Sequence, residues 1–405
     1  MPHQPGIATD GDPVEFDPFS PAFFDDPYPL YHRLRDEAPV YHNEHYGFWA
    51  LSRYEDVLLA HRDWETYTST HGLDLVMLSG DGPVPQSMIM MDPPEHHRMR
   101  LLVSKVFAPR AIAALEPMVR EVISGFLDSL ADHRAFDAVT EFAGPFPVEV
   151  ISRMLGIPAA DRQQIRHWAD QFLTREVGAT EYGEQATTAM LEFSTYLYHL
   201  VVEKRARPGD DMLSALCTAQ VRRDDGETTS LDDVEITGFA SLLAAAGAET
   251  VTKLMANAVV LFARHPDQWA RVLDDPSCVP SAVEEVLRYW PPSQYQGRFS
   301  NRERTFDGVA VPAGQPVLLL TGSATRDERE YEDPDRFDVG RTPGLALGFG
   351  HGIHTCLGAA LARLESRVGL EEWAARYPAF EIDEAGLARV QMANVAGFSR
   401  VPVST

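Results

Sequence analysis

The chain has 405 residues and a formal net charge of −25, because 60 Asp and Glu outnumber 35 Lys and Arg. Its 44% of hydrophobic and 23% of charged residues are typical of a globular protein that buries a large core. The negative excess is spread along the chain, which argues against a surface that binds phosphates or anionic lipid. We therefore expect neither nucleic acid nor a membrane as a partner.

Strand signals come first, at residues 45–51, and helical signals then dominate residues 94–289. Helices with apolar positions three and four residues apart are predicted at residues 109–130, 182–204, 231–263 and 282–289. The longest would span about 50 Å, and the positions of Ser230 and Asp233 predict a capping box at its start.

Two short strands around a turn at residues 312–314 are predicted within residues 308–320. The polar residues 321–349, rich in Pro and Gly, predict a long irregular connection. The sequence thus predicts a mainly α fold with a small β region. Because neither charge nor apolar content changes abruptly along the chain, we expect a single domain over residues 1–405.

The cysteines, Cys217, Cys278 and Cys356, are far apart and odd in number, so no disulfide framework is indicated. The N-terminal residues 1–26 lack the basic and apolar regions of a signal peptide. No apolar run reaches the roughly 18 to 20 residues that a membrane span needs. These patterns predict a soluble, cytoplasmic protein.

Residues 349–358 read Phe-Gly-His-Gly-Ile-His-Thr-Cys-Leu-Gly and precede a strong helix former. Cys356 would therefore lie at a helix N-terminus, where free N–H groups favour a thiolate that can ligate a metal. Gly350 and Gly352 would let the loop lie flat against a large planar group. The residues alone leave a buried apolar cysteine, a degraded dinucleotide loop and a zinc site with the loop histidines as alternatives.

The middle of the long predicted helix contains small residues followed by an acid and an alcohol, Glu249 and Thr250. Glycine at position 247 costs up to about 1 kcal/mol relative to alanine in a helix, and small residues let something bulky pack against the backbone. The alternative, on the residues alone, is an ordinary helix crossing with a solvent-facing Glu249 and with Thr250 bonded to its own turn.

Residues 349–358 resemble the haem-ligand signature of the cytochrome P450 family, Phe-Gly-x-Gly-x-(Arg/His)-x-Cys-x-Gly, at every fixed position. Residues 246–250 resemble the oxygen-binding groove of the same family, Ala-Gly-x-(Asp/Glu)-Thr. The resemblance, to the soluble bacterial type of the family, implies the P450 fold, with haem b (iron protoporphyrin IX) between a long central helix and the cysteine loop. Cys356 would be the iron ligand.

The resemblance also implies roles for other residues. Thr250 would hydrogen-bond dioxygen and Glu249 would connect a proton path from solvent, because splitting the O–O bond needs two protons. The implied cofactor-binding residues are His96, Arg100, Ala246, Gly247, Arg298, Phe349, Gly350, His354 and Cys356. The propionates would be bound by four of them, His96, Arg100, Arg298 and His354.

Glu285, Arg288 and Arg336 would form a buried triad that supports the cysteine loop, again by resemblance. Taken alone, Glu285 and Arg288 would be a surface pair that contributes about 0.2 to 1 kcal/mol. The segment from His96 to Arg100 would, taken alone, be the basic, solvated face of a helix.

By resemblance the chain is expected to be a haem-thiolate monooxygenase that hydroxylates or epoxidises a hydrophobic small molecule with O2. Because it has no NAD or flavin fingerprint, electrons from NAD(P)H should arrive through a separate ferredoxin and ferredoxin reductase. The acidic donor would dock on cations gathered on one face, which we expect to be Arg98, Lys105, Arg110, Arg363 and Arg367. The alternatives are a haem-binding sensor or carrier and a peroxide-driven oxygenase, which have no need of an acid and alcohol pair.

The substrate pocket implied by the resemblance would use Leu242, Ala245, Gln294, Tyr295 and Val395, together with residues 73–90. The polar groups of Gln294 and Tyr295 suggest an oxygenated substrate, but they could equally satisfy backbone groups. Lipids, terpenoids, steroids and polyketides all remain open as substrates.

Overall fold

The computed structural model describes residues 13–80, 87–173, 183–222, 227–342, 344–390, 392 and 394–405. Its α-helices are α1 (Pro21–Asp25), α2 (Tyr28–Glu37), α3 (Tyr54–Arg62), α4 (Leu75–Ser79), α5 (Glu95–Val103), α6 (Pro109–Ala113), α7 (Glu116–Asp128), α8 (Pro145–Leu155), α9 (Arg162–Leu173), α10 (Glu184–Ala206), α11 (Met212–Thr218), α12 (Asp233–Arg264), α13 (Pro266–Asp274), α14 (Val279–Tyr289), α15 (Thr321–Ala324) and α16 (Ala359–Arg376). A π-helical turn at Val139–Ala143 precedes α8.

The strands are short and form several small sheets. They are β1 (Val40–Asn43), β2 (Phe48–Leu51), β3 (Tyr67–Thr68), β4 (Ala135–Asp137), β5 (Val221–Arg222), β6 (Thr228–Thr229), β7 (Gln296–Ser300), β8 (Arg304–Phe306), β9 (Val309–Val311), β10 (Pro316–Leu319), β11 (Glu381–Ile382), β12 (Ala388–Arg389), β13 (Phe398–Arg400) and β14 (Pro402–Ser404). The predicted mainly α fold with a small β region is confirmed.

The long helix α12 crosses the core and packs against α8, α10, α14 and α16. Its capping box differs from the predicted one. The Asp232 carboxylate accepts the Glu235 N–H at 2.8 Å, and the Glu235 carboxylate accepts the Asp232 N–H at 3.0 Å. This reciprocal pair needs an acid three residues after the cap, which Glu235 supplies.

Among the described residues, α12 is the one helix that is long and apolar enough to cross a membrane by length and composition alone, with a mean hydropathy of 1.2. This corrects the expectation that no apolar run reaches that length. Half of its most apolar window is buried within the protein, and buried core helices share these properties.

Other predicted helices differ from the observed ones at their ends. Residues 109–130 form two helices, α6 and α7, because Pro117 has no N–H to donate and occupies the first turn of a new helix. α10 begins at Glu184, and the predicted start at Tyr182 lies outside the described residues. α14 begins at Val279, three residues earlier than predicted.

The largest sheet has the order β1-β2-β10-β7-β3, with β10 parallel to β2 and antiparallel to β7. The two predicted strands around a turn at residues 312–314 are confirmed as β9 and β10, but they do not pair with each other. β9 pairs with β8 across a turn at Asp307 and Gly308, whereas β10 enters the sheet between β2 and β7. The first four residues of the predicted irregular connection form α15. The described residues from there to the turn at Leu347–Phe349 contain neither helix nor strand, so the rest of the prediction is confirmed.

Candidate functional site

The cysteine loop turns back on itself before α16. The Cys356 N–H donates to the Phe349 carbonyl at 2.9 Å, and Gly350 and Gly352 have positive φ angles of 65° and 71°. Gly358 is the N-cap of α16. Cys356 thus lies just before a helix N-terminus, as predicted.

Cys356 lines a cavity. Its side chain is exposed to solvent and yet surrounded by protein atoms, which is the geometry of a concave wall and not of an outer surface. Burial raises the pKa of the thiol, whereas the N–H groups of Gly358 and Ala359 and the positive charges of Arg100 and Arg363 lower it. These donors and cations are the protein's own stabilisation of a negative sulfur.

The end of α3 packs tightly on this loop. A Cβ on Gly352 would lie 2.3 Å from the carbonyl oxygen of His61, and a Cβ on Gly350 would lie 3.7 Å from Cε1 of the His61 ring. Glycine at position 352 is therefore required both by its φ and by the close approach of α3. The contact brings His61 to the site, although no sequence motif indicated this residue.

The four predicted propionate residues come together beside the loop. On α5, the His96 ring is tilted by 55° against the His354 ring, with centroids 4.4 Å apart, and Arg100 donates to the Thr355 carbonyl at 2.7 Å. Arg298 on β7 is buried and donates to the Gly297 carbonyl at 2.7 Å. With His61 these side chains form one group, named here the imidazole–arginine cluster: His61, His96, Arg100, Arg298 and His354.

The electrostatics of this cluster are those of a site for an anion. Burial first, and then neighbouring positive charge, lowers the pKa of His96 to about 4 and of His354 to about 2. Burial lowers the pKa of Arg298 to about 10, although the negative charge of Asp92 opposes this shift. Among the described residues, neither Arg100 nor Arg298 has an ion pair, and both ring nitrogens of His96 and Nε2 of His354 lack hydrogen-bond partners. Since buried donors need acceptors, two carboxylates fit this arrangement.

Haem carries two carboxylates on a planar ring, so the cluster and the cysteine loop fit that cofactor. The fit is one of donor chemistry: arginines and imidazoles converge beside Cys356, where N–H groups and two arginines partly offset the rise that burial causes in the pKa of the thiol. The ring of Phe349 lies under the Arg363 guanidinium, 4.5 Å from its centroid, on the side of the loop that faces α16.

On α12 the predicted acid has a partner that was not predicted. The carboxylate of Glu249 lies 2.6 Å from the ammonium of Lys253, one turn later, and both side chains are buried. The stem of Lys253 packs on Gly397, where φ is 153° and an added Cβ would lie 2.7 Å from the Cβ of Lys253. The solvent-facing alternative for Glu249 is therefore wrong.

Thr250 donates its hydroxyl proton to the Ala246 carbonyl at 2.9 Å, within its own turn. Ala246 is exposed and Thr250 is partly exposed, although most residues around them on α12 are buried. These two positions therefore line a cavity. Gly247 lies on another side of α12. An added Cβ would lie 3.2 Å from Cδ1 of Ile151 on α8, so this glycine allows the two helices to pack closely and does not face the cofactor.

The predicted triad is present with one change. Arg288 donates to both carboxylate oxygens of Glu285, at 2.7 and 2.8 Å, and both side chains are buried. Arg336 is not the third member, because its side chain is 63% exposed and pairs with Asp338. Arg341 takes that place, 3.4 Å from the Glu285 carboxylate, while Arg336 contributes only its backbone carbonyl.

Two predicted pocket residues belong to the core. Gln294 donates to the Pro291 carbonyl at 2.6 Å and accepts from the Tyr31 hydroxyl at 3.2 Å, so it satisfies protein groups and does not face a substrate. Tyr295 is buried in an aromatic cluster and contacts the Phe23 ring.

The other predicted pocket residues differ in exposure. Leu242 is partly buried on the same side of α12 as Ala246, whereas Ala245 is buried. Val395 is partly buried and forms a β-bridge with Ser293. Of the stretch 73–90, residues 81–86 lie outside the described residues.

The predicted basic patch is largely neutralised by acids. Arg363 pairs with Glu284 at 2.5 Å, and Arg367 pairs with Glu116 at 2.6 Å. These four side chains line a groove of about 600 Å³ between α6, α14 and α16. Of the remaining cations of the patch, Arg98 pairs with Glu235, and Lys105 donates to the Gln220 carbonyl. Arg110 is exposed.

Comparison with known proteins identifies the family. The cytochrome P450 family model matches residues 277–377. A putative cytochrome P450 123 of Mycobacterium tuberculosis is 45% identical over 398 residues, which cover 97% of this chain and 98% of that protein. The erythromycin C-12 hydroxylase of Saccharopolyspora erythraea is 38% identical over 355 residues, covering 86% and 87%.

The fold is shared with solved structures. The cytochrome P450 CYP109Q5 from Chondromyces apiculatus superposes with a TM-score of 0.87 at 34% identity, covering 96% of this chain and 98% of that one. The similarity thus extends over nearly the whole chain and includes the cysteine loop, α12 and the sheet that carries β7. The expected fold and enzyme class are confirmed, and the chain belongs to the cytochrome P450 family.

Proposed function

We propose that Cys356 is the iron ligand of this monooxygenase and that His96, Arg100, Arg298 and His354 hold the haem carboxylates. The observation that carries the proposal is the convergence, beside a cysteine at a helix start, of ring nitrogens without hydrogen-bond partners on His96 and His354 and of two arginines without ion pairs among the described residues. When bound, haem supplies a thiolate-ligated iron at which dioxygen is activated. Arg100 serves both parts of the site, since it donates to the loop carbonyl of Thr355 and lowers the pKa of Cys356.

Protons are handled by side chains of α12. The Thr250 proton is donated to the Ala246 carbonyl, which leaves the hydroxyl oxygen as an acceptor on the cavity side. Glu249, the adjacent residue, accepts from the ammonium of Lys253. We assign the transfer of protons from solvent to Glu249 and Lys253. The Thr250 hydroxyl, which its own helical turn orients, receives these protons.

The substrate is a hydrophobic small molecule that contacts Leu242, Ala246 and Val395 and is hydroxylated or epoxidised. Support comes from the partial exposure of these apolar side chains inside the fold and from the erythromycin hydroxylase among the relatives. With Gln294 and Tyr295 assigned to the core, we expect shape and apolar contact to select the substrate more than hydrogen bonds do.

Electrons reach haem b from NAD(P)H through a ferredoxin reductase and a ferredoxin, which docks at the groove lined by Arg363 and Arg367. The nearness of this groove to the cysteine loop supports that choice, because Arg363 lies on the Phe349 ring. We further propose that residues 1–405 form one catalytic domain and that the enzyme works in the cytoplasm.

The iron ligand is tested by replacing Cys356 with serine. We expect Cys356→Ser to abolish the thiolate-type absorption of the reduced, carbon monoxide-bound protein and the monooxygenase activity, because an alcohol is a poor ligand in place of a thiolate. Cys278→Ser is the matched control, since Cys278 is a free cysteine that is also partly accessible. A Cys356→Ser protein that keeps the thiolate spectrum would contradict the assignment.

A further inference from the structure

His61 lies in the last turn of α3, where it is buried to all but 5% of its surface. Neither of its ring nitrogens has a hydrogen-bond partner among the described residues. The side chain of Gln296 faces the ring and raises its pKa, but the Gln296 amide already donates to the Ser293 hydroxyl and accepts from the Thr321 hydroxyl. A buried imidazole that leaves both nitrogens unsatisfied is uncommon, because it gives up water without gaining a protein partner.

The charges around His61 favour a bound anion, and a neutral imidazole has one N–H to donate to it. Burial is the first cause that lowers its pKa to about 3, followed by the positive charge of Arg298 and by His351. His61 in turn contributes to the lowered pKa of His354. The groups that face it are thus cationic or neutral bases, and a carboxylate placed among them would be attracted to all of them.

The backbone fixes the imidazole in this position. The His61 carbonyl touches Gly352, and the ring edge lies against Gly350, so the loop that carries Cys356 and the end of α3 are held together. His61 therefore has little freedom to turn towards solvent, and its nitrogens stay directed into the cluster that includes Arg298 and His354.

We propose that His61 is a further haem-binding residue, which donates a hydrogen bond from its ring to the carboxylate that Arg298 and His354 also bind. The inference rests on the proposed role of the cluster and adds a ligand that no motif of the chain indicated. His61 would supply a neutral, directional donor beside the buried charge of Arg298, and so hold the haem more tightly in the pocket.

The test compares the effect of a His61 variant on the loss of two forms of the cofactor, one with and one without carboxylates. His61→Phe and wild type are loaded with haem or with its dimethyl ester, which lacks both carboxylates, and the rate of haem transfer to excess apomyoglobin is measured. We expect His61→Phe to lose native haem about tenfold faster than wild type, which corresponds to ~1.4 kcal/mol. With the dimethyl ester, the two proteins should lose the cofactor at similar rates.

The outcomes distinguish binding from packing. Equal acceleration with both cofactors would show that His61 only fills space, and no acceleration with native haem would also overturn the proposal. His42→Phe is the control, because His42 is an exposed histidine on β1. If His61→Phe does not fold, His61→Met replaces it, since a flexible apolar side chain adapts to the same space.

The same samples separate this inference from the proposed function. A thiolate-type spectrum in His61→Phe would leave Cys356 as the iron ligand whatever the transfer rates show. A wild-type protein without that spectrum would refute the function of the site before His61 is considered.

Discussion

Lys253 and Glu249 place a full ion pair inside the core, one helical turn apart on α12, with the two charged groups 2.6 Å apart. Such a pair is weak support for stability as a whole, because the attraction must offset the loss of water around both charges. Removing Lys253 alone costs more stability, because the Glu249 carboxylate then stays buried without this ammonium beside it.

We predict that Lys253→Met destabilises the haem-loaded protein by about 3 to 5 kcal/mol. The double variant Glu249→Gln, Lys253→Met should recover much of this loss, because no buried charge is left unpaired. Urea unfolding at matched haem content measures both effects.

A surface pair provides the control for that comparison. Arg302 and Glu65 are both more than half exposed, so Arg302→Met should change stability by less than about 1 kcal/mol. Equal losses for Lys253→Met and Arg302→Met would mean that burial of the α12 pair has no energetic consequence.

At the scale of elements, Arg341 joins α14 to the irregular connection that leads to the cysteine loop. It lies 3.4 Å from the Glu285 carboxylate and donates to the carbonyls of Glu332 and Asp333 at 2.7 and 3.0 Å. A segment without helix or strand has few backbone hydrogen bonds of its own, so arginine side chains supply them from outside.

We predict that Arg341→Met destabilises the protein by about 2 kcal/mol, because it removes charge-assisted hydrogen bonds from a mostly buried carboxylate and from backbone carbonyls. Arg336→Met should cost less than about 0.5 kcal/mol, since the Arg336 side chain is 63% exposed. Thermal unfolding and haem retention are measured for both. A larger effect at Arg336 would restore it as the third member of the triad.

The sequence predicted helices and strands but not which strands pair. The apolar pattern of α12 fixed its length to within a few residues, because helix formation follows local periodicity. The partner of β10 could not be predicted, since a four-residue buried strand pairs according to neighbours distant in sequence.

Some site residues could likewise be predicted from the sequence, whereas others could not. Motifs of fixed spacing predicted Cys356, His96 and Arg100, whereas His61 reaches the site only through packing of separate elements. Lys253 lies one turn after Glu249 on the same helix, but the spacing does not show that the pair is buried. The interpretation of Gln294 as a pocket residue was wrong because polarity alone does not distinguish a ligand contact from a satisfied core amide.

At the scale of the whole molecule, a net charge of −25 must be reconciled with the acidic electron donor that we propose. The groove beside the cysteine loop carries Arg363 and Arg367, but Glu284 and Glu116 neutralise them, so its local charge is close to zero. Arg110, exposed beside this groove at the start of α6, has no described ion pair and is the cation most available to a partner.

We predict that Arg110→Glu slows reduction by a ferredoxin about tenfold at low ionic strength, and that added salt removes most of the difference, because rim charges act mainly on association rates. Stopped-flow reduction under carbon monoxide measures the rate. Arg400→Glu makes the same charge change on β13, away from the groove. Equal slowing by both variants would indicate a general charge effect and argue against docking at the groove.

The contact between Gly397 and the stem of Lys253 also limits how the substrate range of this enzyme can be engineered. Residues 394–397 form the loop that carries Val395, and protein engineers would vary such a loop to widen a substrate range. Any side chain at position 397 would displace the lysine that holds Glu249. Libraries built on this loop should therefore keep Gly397 fixed, so that altered selectivity is not accompanied by reductant wasted as peroxide.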